Sequence, residues 1–217
     1  MKCNLDYRLV LSFVLLILTF FVSIYGIYLI PNDVVVTHWN VYGEADGFLP
    51  KVEGLLLPPI IMGFILILLV FLPKFDPLRK NYTQFFGSYY FLILFFSLFF
   101  FVINIFVVLW NLGFEIPINF VILPMVAVLF FVIGFLMKDF KKNWFVGIKT
   151  PWTLSNDLVW KKTHQMGSKV FYVMGLAFLL GAFQPNAFVI ILAVVFGGII
   201  FLFAYSYWVF RKIENKK

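Results

Sequence analysis

Residues 85–109 read FFGSYYFLILFFSLFFFVINIFVVL, a run that contains no Asp, Glu, Lys, Arg or His. A helix needs about 20 mostly apolar residues to cross the hydrocarbon core of a bilayer. A soluble domain offers no place to bury a run of this length and composition. The stretch therefore predicts a membrane-spanning helix.

Further runs of the same character lie on both sides of this one. They are Leu9–Ile30, Leu55–Leu72, Ile118–Met137, Met166–Phe183 and Ala187–Phe210. Of the 217 residues, 63% are hydrophobic and only 12% are charged, against about 25% charged in a typical soluble domain. This composition excludes a typical soluble enzyme, a secreted disulfide scaffold and a disordered chain. The sequence predicts an all-α, polytopic membrane helix bundle of about six transmembrane helices.

The positions of the charges predict the orientation of these spans. If the N-terminus lies inside, every Lys and Arg except Lys51 falls on the inner side. Basic residues accumulate in cytoplasmic loops, so we expect a multi-pass protein of the cell (plasma) membrane with both termini cytoplasmic. The net charge of +7 then faces anionic membrane lipid. No direct nucleic-acid partner is expected, because the basic residues are spread over several loops.

Polar side chains inside the predicted spans are few. Ser12, Thr19 and Ser23 share one face of the first span, and Asn104 lies in the third. We expect Asn104 to hold helices together rather than to bind a ligand. The lack of ionisable groups at mid-depth argues against ion or proton transport.

The loop after the first span, PNDVVVTHWNVYGEADGFLPKVEG (residues 31–54), is unusually rich in polar and turn-forming residues. We expect an extended piece over Val34–His38. Pairs such as Asp46-Gly47 indicate turns. His38, Asn40, Glu44 and Asp46 could converge on a metal ion or a polar ligand, but their spacing fits no standard zinc pattern. A folded cap is favoured over a metal site, and a recognition role is weighed equally with a purely structural one.

The inner loop, KDFKKNWFVGIKTPWTLSNDLVWKKTHQMG (residues 138–167), is similarly dense in Trp, Asn and Thr. Pro151 predicts an extended Thr150 before it, and Ser155 or Asn156 can cap a new helix. That helix places Trp160 and His164 on one face. We interpret it as an amphipathic helix that lies at the cytoplasmic interface and runs into the fifth span, with a docking site or a catalytic site as the alternatives.

No pattern in the chain indicates a catalytic centre. The sequence has no P-loop, CxxC, HExxH, GxSxG or GxGxxG motif. His38 and His164, its two histidines, fall on opposite sides of the predicted membrane and cannot share a metal ion. We expect no catalytic residue, no metal, no cofactor and no enzymatic activity. Cys3, the one cysteine, could be palmitoylated, although an unmodified residue is favoured.

Residues 143–164, NWFVGIKTPWTLSNDLVWKKTH, resemble the signature of the SdpI family of bacterial toxin-immunity and signalling membrane proteins. The outer loop is similar to a domain of unknown function that often precedes that signature. On this resemblance, residues 1–80 form an N-terminal membrane region and residues 81–217 an SdpI-like membrane region. The family commonly carries Arg where this chain has Lys149, which keeps the charge but loses the planar fork of Arg.

The resemblance implies two sets of functional residues. The outer recognition set is His38, Trp39, Asn40, Gly43, Asp46 and Lys51. The inner motif is Asn143, Trp144, Gly147, Lys149, Thr150, Pro151, Trp152, Thr153, Trp160, Thr163 and His164.

The resemblance also implies a function. Such a protein would confer immunity to a secreted, membrane-active peptide toxin, met from outside, and would capture a cytoplasmic repressor at its inner loop. The alternative is a transporter or a lipid- or peptide-handling membrane protein of unknown substrate.

Overall fold

The computed structural model describes residues 6–184 and 187–215. Within these residues, five helices are long and apolar enough to cross a membrane. They are α1 (Tyr7–Leu29), α2 (Lys51–Phe75), α3 (Phe86–Asn111), α4 (Asn119–Leu136) and α7 (Ala187–Glu214). Each overlaps a predicted span, and the all-α polytopic bundle is confirmed. Four residues used in the predictions of orientation and palmitoylation, Lys2, Cys3, Lys216 and Lys217, lie outside the described residues.

The predicted interfacial helix and the predicted fifth span form one helix. Helix α6 runs without a break from Asp157 to Gly181, as expected of an interfacial helix that runs into the span. Nothing between Trp160 and Met166 interrupts a helix, and the interfacial segment and the span are one element. Because its first half is polar and charged, α6 is not among the five apolar helices. The predicted count of six spans, against the five found here, therefore stays a prediction.

The chain divides into two compact units, of which the first holds the outer loop. This unit comprises the residues up to Val70 together with Ile93–Met125. A buried polar seam joins its helices: the fully buried Asn104 accepts a hydrogen bond from the Ser23 hydroxyl (3.0 Å) and donates one to the Thr19 carbonyl (3.2 Å). Asn104 thus links α3 to α1, as expected of interhelical polar residues.

The outer loop of the first unit is a β-hairpin. Strands β1 (Val34–Trp39) and β2 (Ala45–Pro50) pair antiparallel, with irregular register around His38. The extended conformation predicted for Val34–His38 is confirmed. The second strand was not expected, because its Asp, Gly and Pro disfavour strands; pairing with β1 overrides that preference.

The second unit holds the inner loop. It comprises Phe71–Leu92 and the residues from Val126 onward. Helix α4 approaches α6 closely at Gly175, where a Cβ atom would lie 2.6 Å from the Phe131 ring. Between these helices the chain forms the short helix α5 (Pro151–Ser155), while the 3₁₀ helix η1 (Arg79–Gln84) precedes α3.

Candidate functional site

The outer hairpin presents one exposed histidine–carboxylate pair to its surroundings. His38 Nδ1 lies 2.6 Å from Asp46 Oδ1, and the two side chains are 70% and 44% exposed. The glycine at position 47 makes room for this pair, since a Cβ atom there would lie 2.6 Å from the His38 Cβ. Both groups are thus available to a molecule that reaches the hairpin.

The turn between the strands is built by Asn40. Its carboxamide oxygen accepts the backbone N–H groups of Tyr42 and Glu44, and its amide donates to the Glu44 carboxylate (2.9 Å). Gly43 has φ +85°, a conformation that favours glycine. Asn40 and Gly43 therefore shape the turn. The turn predicted at Asp46-Gly47 is wrong, because both residues lie in β2, where Asp46 pairs with His38.

The other two members of the outer set hold the hairpin to its unit. Trp39 packs against Phe106 and Trp110, with ring centroids 5.3 Å and 5.4 Å away. Lys51 donates from Nζ to the Ile30 carbonyl (2.9 Å), which ties the start of α2 to the end of α1. These two side chains are positioned for anchoring.

Asn111 is an anchor that the sequence did not reveal. Its side chain accepts the Val36 N–H (2.8 Å) and donates to the Val36 carbonyl (3.0 Å), as a neighbouring strand would. It stands at the last position of α3. In the sequence, Asn111 is distinguished only as a polar residue that follows a long apolar run.

Asn143 is the organising residue of the inner motif. Its oxygen accepts the N–H groups of Phe145 and Val146, and its amide donates to the carbonyls of Lys141 and Val146. The side chain is fully buried. Asn143 thereby fixes the loop that follows α4.

Asp76 and Tyr82, which the sequence analysis did not single out, support this loop from the preceding connection. The Asp76 carboxylate accepts the Trp144 N–H (2.8 Å) and the Tyr82 hydroxyl (3.1 Å). The Tyr82 hydroxyl also lies 3.3 Å from Asn143 Oδ1. Burial, and then the Asp76 carboxylate, raise the pKa of Tyr82 and keep it a neutral phenol. The available signal was that Asp76 is the only acidic residue between the second and third spans.

The Lys149-Thr150-Pro151 stretch leads into α5 through a capping box. Thr150 is extended, as predicted, and its hydroxyl accepts the Thr153 N–H while the Thr153 hydroxyl accepts the Thr150 N–H. Thr150 Oγ1 also bonds to Ser206 Oγ of α7 (3.1 Å). Trp152 packs against Phe203 of the same helix. The threonines therefore join the motif to α7.

Trp160 and His164 form the buried centre of the motif. Their rings stack at 4.0 Å, and the Trp160 indole donates to the Phe140 carbonyl (2.7 Å). His164 Nδ1 donates to the Trp160 carbonyl (2.8 Å), and Nε2 accepts the Ile148 N–H (3.1 Å). These bonds define a neutral imidazole with both nitrogens occupied.

Burial lowers the pKa of His164 to about 4. Gly147 lies against the ring with φ +113°, and a Cβ atom there would collide with His164 Nε2. His164 is thus a packed structural imidazole, and the arrangement offers no lone pair for general-base chemistry. Trp160 and His164 share one helix face, as predicted, and this face is buried in the protein, where the residues are 3% and 1% exposed.

Other members of the inner motif remain accessible. Trp144 is 51% exposed, and Pro151 and Lys149 are also exposed. Lys149 Nζ donates to the Phe145 carbonyl (2.8 Å). Trp144 and Lys149 are the inner residues that an approaching partner could contact.

Two buried hydroxyls near the Trp160–His164 stack stand out. Within the described part of the chain, Thr163 Oγ1 and Ser168 Oγ have no hydrogen-bond partner, and neither does the outer Trp39 Nε1. In the same part of the chain, no group of three His, Cys, Asp or Glu residues is placed to hold a metal ion.

A cavity of about 290 Å³ opens beside Trp160 and His164. Its rim carries several lysines, of which Lys142 pairs with Asp157 at 2.5 Å. The inner motif therefore combines a closed core with a basic rim.

Comparisons with known proteins confirm the resemblance read from these residues. Residues 139–206 match the SdpI/YfhL protein family, and residues 14–63 match a domain of unknown function, DUF1648. The immunity protein SdpI of Bacillus subtilis (strain 168) is 25% identical over 187 residues, which cover 86% of each chain. No solved structure matches the chain.

Proposed function

We propose that this SdpI-like chain is a multi-pass membrane protein that protects its host against a membrane-active peptide toxin. The similarity to an immunity protein over 86% of both chains carries the proposal, since it includes the outer hairpin and the inner motif together. The proposal places both termini in the cytoplasm, on the distribution of basic residues.

The outer hairpin would meet the toxin. Besides the His38–Asp46 pair, it exposes Tyr42 (72%) and Phe48 (59%). Exposed aromatic side chains beside a charged pair suit a hydrophobic peptide that carries polar groups. A two-stranded hairpin also leaves strand edges to which an extended peptide can pair.

The exposed inner residues would present a surface to a cytoplasmic repressor. Trp144 supplies an aromatic face, and Lys149 a positive charge. The Trp144 N–H donates a hydrogen bond to the Asp76 carboxylate, which holds the backbone that carries the indole in place. A preorganised aromatic residue loses little conformational entropy on binding.

The experiment is a survival assay in the native host. Cells that lack the gene are challenged with material secreted by the parent strain, and the wild-type gene is then restored. Rescue by the wild type supports immunity. A double variant, His38→Ala with Asp46→Ala, should fail to rescue although it inserts normally, whereas Glu115→Ala in another outer loop should rescue. Equal killing with and without the gene contradicts the proposal.

Repressor capture is tested separately with a reporter of the repressed gene. Trp144→Ala and Lys149→Ala should abolish toxin-dependent induction while survival is retained, and Lys80→Ala, another exposed lysine of the same predicted side, should leave induction intact. Normal induction in the Trp144→Ala and Lys149→Ala variants would remove the inner surface from the proposal.

A further inference from the structure

A groove runs along the contact between α6 and α7 in the second unit. Two cavities line it, one of about 380 Å³ and one of about 300 Å³, and both are bordered by Lys169. The lining residues recur every three or four positions on each helix, so each helix contributes one continuous stripe. On α7 this stripe comprises Val194, Gly197, Phe201, Tyr205, Trp208 and Lys212. The two cavities are therefore the two ends of one groove.

One end of the groove is basic and aromatic. Lys162, Lys169 and Lys212 border it, and within the described residues none of the three forms an ion pair. Among the described residues, no carboxylate lines this cavity. Lys212 Nζ lies 4.9 Å from the centre of the Trp208 ring. Three positive charges without an ion pair around one cavity favour an anionic occupant.

The other end of the groove is apolar. Beyond Lys169, every residue that borders it is Val, Met, Gly or Phe. A Cβ atom added at Gly197 would meet no atom within 4 Å, whereas one at Gly198 would collide with Met174. Gly198 thus allows the helices to approach, and Gly197 leaves an open trough above the contact. From Val194 to Phe201 the trough extends about 10 Å at the helical rise.

A second basic cavity of the same unit shows what is particular to this groove. The cavity beside Trp160 and His164 is also rimmed by lysines, among them Lys138, Lys141 and Lys161. Its rim also holds Asn81, Gln84, Gln165 and the Asp157 carboxylate, whereas the α6–α7 groove shares Lys169 with an apolar cavity. Only the α6–α7 groove, of the two, joins unpaired positive charge to an apolar channel.

We propose that the α6–α7 groove binds an anionic phospholipid, with the phosphate between Lys162, Lys169 and Lys212 and an acyl chain along the trough at Gly197. Basic clefts between helices at the membrane surface are suited to lipid phosphates. Trp208 and Tyr205 at the basic end fit the polar–apolar boundary of a bilayer. The assignment is independent of the immunity proposal, because it uses none of the residues assigned to toxin or repressor.

The test uses the full-length protein in nanodiscs of phosphatidylcholine and phosphatidylglycerol, with native mass spectrometry to count the lipids that stay bound. The wild type should retain one phosphatidylglycerol with about tenfold preference over phosphatidylcholine, given three lysines near the phosphate. The triple variant Lys162→Gln, Lys169→Gln, Lys212→Gln should lose this preference. The matched variant Lys138→Gln, Lys141→Gln, Lys161→Gln removes the same charge from the other cavity and should keep it. Equal loss in both variants would overturn the proposal, because attraction would then be unspecific.

The apolar half is tested by Gly197→Leu, which places a side chain in the trough without changing charge. The open space at Gly197 allows this variant to fold, and preference should fall at least fivefold. Undiminished retention in Gly197→Leu would overturn the placement of the acyl chain. In a parallel arm, inorganic phosphate at millimolar concentration should not displace the bound lipid. Displacement by phosphate would identify a free-anion site and overturn the lipid assignment.

Discussion

The outer hairpin and the inner motif contain similar kinds of residues and use them differently. In the hairpin, His38 and Asp46 bond to each other while largely exposed. In the inner motif, Asn143 and His164 are buried and bond to backbone groups on several sides. A signature histidine therefore lies at the surface in one region and in the core in the other.

The residues of a sequence motif can be required for the fold or for recognition, and this contrast separates the two roles. Buried polar groups must be hydrogen-bonded, and they then specify one backbone arrangement. An exposed polar pair contributes little to the fold. Substitutions at the buried positions of the inner motif should therefore act mainly on stability, and substitutions at the exposed outer pair should act on recognition.

The largest expected effect is that of Asn143→Ala. The substitution leaves the partly buried N–H groups of Phe145 and Val146 without their acceptor, and each unsatisfied group costs about 1–3 kcal/mol. We expect the free energy of unfolding, measured by denaturant titration in detergent, to fall by about 4 kcal/mol. Ser155→Ala, at an exposed position, should change it by less than about 0.5 kcal/mol. A loss of only 1 kcal/mol for Asn143→Ala would contradict the organising role of this residue.

Gly147→Ala and Gly113→Ala separate backbone strain from collision. Both glycines have positive φ, but only the Cβ atom at position 147 would meet a buried ring, that of His164. We expect Gly113→Ala to cost about 1 kcal/mol and Gly147→Ala about 3–4 kcal/mol, since it also displaces a packed side chain. Thermal or denaturant unfolding of both variants gives the comparison. If both variants lost the same free energy of unfolding, the packing around His164 would have to adjust to the added Cβ atom at little cost.

The third expected effect is a pH dependence that belongs to the inner histidine. The folded pKa of His164, about 4, lies below the unfolded value of 6.5, so the unfolded chain binds the additional proton between these values. Stability is then fully present above pH 6.5 and declines as pH falls towards 4, by about 3 kcal/mol. His38→Ala should keep this dependence, and His164→Gln should lose it. A wild-type profile that is flat between pH 6.5 and 4.5 would contradict the buried neutral state.

Much of the fold could be predicted from the sequence because the spans are long and apolar. The run at residues 85–109 overlaps α3 almost completely. The interfacial helix was predicted to run into the fifth span, and α6 is continuous although hydropathy changes at Met166. Strand β2 depends on pairing with β1. Its residues Asp46, Gly47 and Pro50 disfavour a strand, so the sequence did not predict it.

The residues of the candidate site could be predicted from the sequence, but which of them are buried and which are exposed could not. The Asn143–His164 stretch is recognisable as a unit, yet its sequence does not distinguish the buried Trp160 from the exposed Trp144. The supporting groups Asp76 and Ser206 lie far from the stretch in sequence and meet it only through tertiary packing. Long-range partners of this kind carry no local pattern.

The smallest expected effect on stability, and the sharpest test of the contrast, is that of His38→Ala. The His38–Asp46 pair is exposed, and exposed ion pairs are worth little, so the free energy of unfolding should change by less than about 0.5 kcal/mol. Under the proposed function, protection in the survival assay should nevertheless fall sharply, because the hairpin loses a group that can bind a peptide. Glu44→Ala removes a carboxylate of the same hairpin that does not face His38, and it should retain protection. A destabilisation above 1 kcal/mol for His38→Ala would make the outer hairpin a structural element like the inner motif. Full protection at unchanged stability would move toxin recognition away from this pair.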